Sequence, residues 1–497
     1  MKKETSKSIH ITQGSKSFGD KILFSNVSIN FHPGEKIGII GKNGCGKTTF
    51  LKILAGEENV DTGGIGNKNS VAYMQQEITC EAGTTVLEYI TQHMPAWEEY
   101  KIYPLMEELH LVIDLNQTVK SLSGGEQKKL QLAKIILSNA ELMLLDEPTN
   151  HLDQHSLEIL QKCILDHQGI VLFVSHDRHF LNMICNKLVE IEDKNIHVYH
   201  GNYEIYKAEK QARYEKQMQA HETYQKEKKK RETRMGDMRQ RASVYINPAL
   251  GRLIKSKEKY IAREIYAKEV VKPKTEKNIH LYATGGTHKG KLIFEIRDQG
   301  IGFDDTILIQ QINMDIRGKE KVLIAGKNGS GKTTLLKYIV ALLNKTISPE
   351  NTKMGNNITF DYFDQHNDIM ESKDIVHTRF EKHLKIKTDE NGIRSQLAMI
   401  GLSTHEIFGS MTNLSYGQKV KIRFLQMLSA PIDLLILDEP TNHLDIPTRE
   451  AIETMLEEYQ GALLFVSHDQ YFAEKIRNNI VYHIQDKHLI KEIHLLV

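Results

Sequence analysis

The chain repeats itself. GKNGCGKTT at 41–49 returns as GKNGSGKTT at 326–334, LLDEPTNHLD at 144–153 as ILDEPTNHLD at 436–445, and FVSHD at 173–177 as FVSHD at 465–469. The offset is 285 residues for the first pair and 292 for the other two, with the order kept. A near-constant offset in three ordered matches makes this 497-residue chain a tandem duplication of one domain of about 200 residues. Each matched segment is entered from a short apolar run: KIGIIG, LMLLDE and IVLFVSHD in the first copy, KVLIAG, LLILDE and ALLFVSHD in the second. Continuous apolar runs closed by glycine or an acid read as strands buried on both faces of a mostly parallel sheet. TTFLKILA and TTLLKYIV behind the first runs read as amphipathic helices. The expected fold class is therefore α/β in both copies, with the working residues at the carboxyl ends of the strands.

The copies, at 1–202 and 281–497, flank an insert at 203–280 with a different character. From Tyr203 to Lys277 there are 21 Lys and Arg against 11 Asp and Glu, while the whole chain has a net charge of only +1. A basic middle thus lies between two acidic flanks, and clustered positive charge seeks a polyanionic partner. Tyr203 to about Ser243 is rich in helix formers and free of proline. At 1.5 Å per residue such a helix reaches on the order of 60 Å. Leu250, Ile254, Ile261 and Ile265 have the spacing of a coiled-coil seam, so a second helix is expected from Leu250 to about Val271. Asn247-Pro248 and Gly251 mark the turn of the resulting hairpin. Its basic face includes Lys228, Lys229, Lys230, Arg231, Arg234, Arg239 and Arg241; its tip, with Tyr245 and Pro248, is nearly free of charge. No run of eighteen apolar residues is present, so no transmembrane helix is expected, and MKKETSKSIHITQG has no apolar core of a secretory signal. Cys45, Cys80, Cys163 and Cys185 form no CxxC and read as reduced thiols of a cytoplasmic protein.

GxxxxGK[ST] after a strand is a phosphate-binding loop. Gly41, Asn43, Gly44, Cys45 and Gly46 would turn backbone N–H groups onto the β- and γ-phosphates, as would Gly326, Asn328, Gly329, Ser330 and Gly331. Lys47 and Lys332 would neutralise the phosphates; Thr48 and Thr333 would hold Mg²⁺, with Thr49 and Thr334 beside them. Asp146 and Asp438 are placed to coordinate Mg²⁺ through water, and Glu147 and Glu439 to orient the attacking water. His176 and His468 would contact the γ-phosphate; consecutive Ser-His-Asp is not a protease triad. Cys45 could make its loop thiol-sensitive, or simply be a small residue where the partner loop has Ser330. SLSGGEQ (121–127) and NLSYGQ (413–418) each place a serine turn before a helix, an anion site built on Ser123, Gly124 and Gly125 and on Ser415 and Gly417. Since each copy already has a phosphate loop, that turn should serve a nucleotide held by the other copy.

With these motifs together, the chain resembles an ATP-binding cassette protein. The resemblance implies two ATP molecules sandwiched head to tail between the phosphate loop of one cassette and the signature turn of the other. It also implies Gln76 and Gln365 as Mg²⁺ and water contacts, and Phe18 and Phe303 stacked on adenine. Two cassettes, no membrane span, a basic hairpin, EPTNHLD twice and GNYEIYKAEKQARYE at 201–215 are similar to the ABC-F translation factors. That family implies a cytoplasmic Mg²⁺-dependent ATPase, a monomer whose cassettes close on each other. It binds the ribosomal exit site, with the linker among 23S rRNA and tRNA near the peptidyl-transferase centre. Some members serve general translation; others protect the ribosome from antibiotics.

Three departures bear on that expectation. Tyr416 stands where the family commonly has glycine, and is expected to crowd the γ-phosphate of the Lys47 site and slow it. The stretch between Gln76 and Ser121 is short for an arm insertion, and no C-terminal extension is expected. These features and the apolar tip favour antibiotic protection over rescue of stalled ribosomes. A transporter motor is disfavoured by the basic linker, and a DNA-repair ATPase by its shortness and lack of a cysteine hook.

Overall fold

The structure, a computed structural model, describes residues 8–19, 21–66, 69–81, 83–92, 96–150, 152–244, 256, 288–303, 306–327, 329–364, 373–384, 389–442, 444–476 and 480–493. Two compact units divide the chain: Met1–Tyr203 with Lys277–Val497, which contains both copies, and Glu204–Glu276.

The first copy contributes nine strands: β1 (Ile9–Phe18), β2 (Lys21–Phe31), β3 (Lys36–Gly41), β4 (Thr62–Gly66), β5 (Val71–Met74), β6 (Leu142–Asp146), β7 (Ile170–Val174), β8 (Lys187–Glu192) and β9 (Asn195–His200). They form a six-stranded sheet in the order β5-β6-β7-β3-β8-β9, parallel except for the β8–β9 hairpin, and a three-stranded sheet in the order β2-β1-β4. Every residue of β6 and β7 is buried, which is why those strands lack polar alternation. The antiparallel sheet, unanticipated from the sequence, does alternate: Val27, Ile29 and Phe31 are buried at every second position and pack with Phe50 and Leu51 of the helix Lys47–Ala55.

The second copy repeats this plan with β10 (Leu292–Phe303), β11 (Thr306–Arg317), β12 (Lys321–Gly326), β13 (Thr352–Met354), β14 (Phe360–Phe363), β15 (Leu434–Asp438), β16 (Ala462–Val466), β17 (Ile480–Gln485) and β18 (His488–Ile493). Here one parallel bridge, Gln311 to His488, joins both layers into a nine-stranded sheet, β13-β10-β11-β18-β17-β12-β16-β15-β14.

Register is what places the chemistry. Ile39 of β3 and Asp146 of β6 both pair with Val174 of β7, and Ile324 of β12 and Asp438 of β15 both pair with Val466 of β16. The three strand ends are therefore level, and the loops that follow them leave the sheet along one edge.

Apart from Ser256, the described residues of the second unit belong to a helix that runs from Tyr203 to Val244, 42 residues. It has no apolar stripe; Lys229, Lys230 and Arg234 are exposed, and Arg231 is half-buried with Glu227 one turn back at 3.9 Å. Its less exposed residues, among them Tyr214, Met218, His221, Tyr224 and Lys228, recur every three or four positions, a seam spacing. Of the expected second helix only Ser256, which is helical, is described; the rest of that helix, the tip residues Tyr245 and Pro248, and the side chains of Arg239 and Arg241 lie outside the described residues.

Candidate active site

Both phosphate loops adopt the same left-handed turns. Gly44 and Gly46 have φ of 73° and 107°, Gly329 and Gly331 of 76° and 97°. A Cβ at Gly46 would also meet Leu23 side-chain atoms at 3.0–3.4 Å, so glycine is required there twice over. The Lys47 ammonium donates to the carbonyls of Gly41 at 2.9 Å and Lys42 at 3.2 Å; Lys332 donates to Gly326 at 2.9 Å and Lys327 at 3.0 Å. Each lysine thus braces its own loop with its charge at the loop's centre.

Next to each lysine, a threonine hydroxyl donates to an aspartate, Thr48 to Asp146 and Thr333 to Asp438. Both aspartates are 1% exposed, and burial raises their carboxyl pKa values. Each retains one carboxylate oxygen, Oδ2, buried without a hydrogen-bond partner. A buried orphan oxygen beside a threonine hydroxyl is a hard, oxygen-only donor set, which fits Mg²⁺.

The following glutamates are held under strain. Glu147 and Glu439 have φ of 49° and 46°, a left-handed conformation costly for a side chain of this size. Their backbone N–H groups donate to Val174 O and Val466 O, both at 3.1 Å, which fixes the turn. His176 Nε2 lies 3.4 Å from Glu147 Oε1, and His468 Nε2 lies 3.3 Å from Glu439 Oε1. Burial pushes both glutamates up to about 7. Burial, and then the Lys47 and Arg449 charges, hold His176 well below its ordinary value; burial and Lys332 lower His468. Each pair is accordingly a neutral imidazole beside a carboxyl poised near neutrality, the state suited to a general base. The two differ in access: the His176 side chain is 9% exposed and that of His468 56%.

Around the first loop these groups line one cavity of about 620 Å³ together with Thr49, with Phe18 and Gln76, which the resemblance names, and with Lys21, Leu23, Asn150 and Val174, which the sequence did not single out. Phe18 is half exposed, with the Lys16 ammonium 5.0 Å from its ring centre. At the second loop Asn328, Gln365 and the Phe303 side chain lie outside the described residues; Thr334 lies in the first turn of the helix Lys332–Leu343. The Ser330 hydroxyl is buried without a partner. Cys45 is half-buried, and burial raises its thiol against the pull of Lys47, so it behaves as a small packing residue.

Ser123 and Ser415 are the N-caps of the helices Gly124–Leu137 and Tyr416–Met427. Both serines sit in capping boxes, with Glu126 and Gln418 respectively. The Ser123 hydroxyl donates to Glu126 at 2.6 Å, so an anion at this turn must compete with that carboxylate. A Cβ at Gly124 would meet nothing within 4 Å, and the corresponding Tyr416 packs half-buried against the apolar cluster of its own cassette. Its bulk is thereby absorbed by the core, which removes the steric reason to expect crowding at the Lys47 site.

The sequence leads one to expect the second copy at the first loop through its signature turn, but did not single out the residue that makes a contact there, Asp445. The Asn43 backbone N–H donates to Asp445 Oδ2 at 2.9 Å, across 402 residues, while Asp445 Oδ1 caps the helix Ile446–Glu458 through Thr448 N at 3.1 Å. The corresponding Asp153 is instead bound by Lys129 at 2.8 Å.

Glycine loops that could cradle phosphates, oxygen donors that could hold a divalent cation and a buried carboxyl beside a neutral imidazole equip each copy to hydrolyse a nucleoside triphosphate. A base with a pKa near 7 works only when ionised, so kcat/KM for ATP should fall about tenfold per unit as pH drops below about 7 and level off above it. A profile flat from pH 5.5 to 8 would contradict this assignment of the glutamates.

Residues 24–150 and 309–442 match the family profile described as ABC transporter. The chain is 32% identical to ABC transporter F family member 2 of Arabidopsis thaliana over 527 residues, covering 96% of this chain and 76% of that one. It is 32% identical to ribosome protection protein VmlR of Bacillus subtilis (strain 168) over 490 residues, covering 95% and 86%. Among solved structures, RNase-L Inhibitor superposes with a TM-score of 0.62 at 17% identity, covering 95% and 87%, a likeness of fold. No helix among the described residues is long and apolar enough to cross a membrane. The duplicated phosphate loops, the strained Asp-Glu turns and these relatives agree: the chain is an ATP-binding cassette protein and belongs to the ABC-F family.

Proposed function

We propose that this protein is a Mg²⁺-dependent ATPase of the cytoplasm that binds the ribosome at the exit site and protects it from antibiotics acting near the peptidyl-transferase centre. The observation that carries the reading is the 42-residue basic helix inserted between two cassettes. Exposed Lys229, Lys230 and Arg234 give it the surface charge to follow RNA phosphates. The nearly uncharged tip sequence, with Tyr245 and Pro248, suits contact with nucleobases, a tRNA end or an apolar pocket. The named role of VmlR, a relative over 95% of this chain, supports protection over rescue of stalled ribosomes.

In this reading the two loops bind ATP and the cassettes close on it, setting the linker in place. Thr48 with Asp146 and Thr333 with Asp438 would hold Mg²⁺, which would supply positive charge against the phosphates. Glu147 and Glu439 accept a proton from the attacking water, and the adjacent neutral His176 and His468 orient the γ-phosphate. Hydrolysis then releases the closed state.

The Glu147→Gln, Glu439→Gln variant should co-sediment with ribosomes in ATP and not in ADP, and lose that association steeply as salt rises from 50 to 200 mM. Failure to co-sediment with ATP at low salt would overturn ribosome binding. For protection, the native chain expressed in a sensitive bacterium should raise the inhibitory concentration of at least one of lincosamides, pleuromutilins, streptogramins A, macrolides or phenicols fourfold or more, on the order of 1 kcal/mol of drug occupancy. A flat panel would transfer the assignment to rescue of stalled ribosomes.

A further inference from the structure

The cassettes share a buried ion cluster that the duplication does not repeat. Arg178, two residues after His176, is 4% exposed. Its guanidinium clasps Glu453 of the helix Ile446–Glu458 in the other cassette, Nη1 donating to Oε2 at 3.0 Å and Nη2 to Oε1. Glu453 is 0% exposed, so both charges have left water; Lys475 Nζ, 3.5 Å from Glu453 Oε2, is a second partner for the carboxylate. Arg178 Nη2 also reaches Asp469 Oδ2 at 3.4 Å, the residue after His468, and Arg449 Nη1 holds the same oxygen at 3.1 Å. The Arg178 guanidinium lies 5.1 Å from the Tyr471 ring centre, against which Tyr203, the first residue of the linker helix, packs edge-on at 6.5 Å.

At the repeat offset of 292, Arg178 corresponds to Gln470, Glu453 to Gln161 and Arg449 to Leu157. The reciprocal position therefore lacks the charges for a second such cluster. Losing Arg178 would also act unevenly. Asp469 keeps Arg449 and its cap on Phe472 N at 3.0 Å, so the His468 loop stays anchored, whereas the His176 loop keeps its own Asp177 cap on Phe180 N at 3.0 Å but loses this ion-pair tie to the second cassette.

We infer that Arg178 is a positioning residue for hydrolysis at the Lys47 site: through Glu453 and Asp469 it fixes the loop carrying His176 against the second cassette, on one side of the protein only. The inference rests on the ATPase reading and deepens it, making two sites with the same candidate base and histidine unequal.

The test uses the full chain with one base neutralised at a time, Glu439→Gln to read the Lys47 site and Glu147→Gln to read the Lys332 site. Because Arg178→Met alone leaves the buried Glu453 with only Lys475 at 3.5 Å, the informative variant is Arg178→Met with Glu453→Leu, an apolar pair that preserves packing. It should lower kcat at the Lys47 site about tenfold with KM for ATP little changed, alter the Lys332 site less than about twofold, and leave Tm within a few degrees of the parent. Equal losses at both sites, or parental turnover at the Lys47 site, would overturn the positioning role. If neither parent hydrolyses ATP, the ATPase reading falls first and the positioning role with it.

Discussion

The level pairing of three wholly buried parallel strands is the constraint on which both sites depend. Asp146 can face the phosphate loop only because β6 and β3 flank β7 with Val174 opposite both Asp146 and Ile39. The same pairing gives the next backbone N–H a partner in Val174 O and turns Glu147 into a left-handed conformation beside His176. Burial of these strands then does electrostatic work at their ends, raising the carboxyls and lowering the imidazole. A one-residue slip in β6 would send every side chain to the opposite face and move the acids away from the loop. The second copy reaches the same result through Val466, with Asp438, Glu439 and His468.

This logic explains what the sequence disclosed. Phosphate loops and Asp-Glu turns are legible because their chemistry demands particular residues at fixed short spacings, and the strands before them because burial on both faces leaves continuous apolar runs. The β2-β1-β4 sheet was not legible: its alternation is broken by register shifts, and its partners are set by long-range pairing. Tyr416 could be flagged as unusual from the sequence, yet its direction depends on an apolar cluster assembled from distant segments. Asp445 looked like a mere repeat of Asp153, and only the folded chain gives one to Asn43 and the other to Lys129.

Duplication also hides asymmetry. Where the copies agree they build two equivalent catalytic edges; where they differ, at Arg178, Arg449 and Glu453, they build a joint between cassettes on one side. A signal for it was present in the repeat itself, since FVSHDR and FVSHDQ diverge two residues after His176 and His468. Buried charge that stands in one copy and is absent from the other is costly to keep. Its proximity to Tyr203 places the root of the linker helix on the same cluster that joins the two ATP sites.

If Glu147 and Glu439 are the bases of two ATP sites in one chain, counting bound ATP and single-turnover hydrolysis in the Glu147→Gln, Glu439→Gln protein tests them together. Two ATP should be retained per chain and hydrolysis reduced about 100-fold or more, the usual contribution of a general base. Hydrolysis near the native rate, or one ATP per chain at saturation, would contradict this assignment.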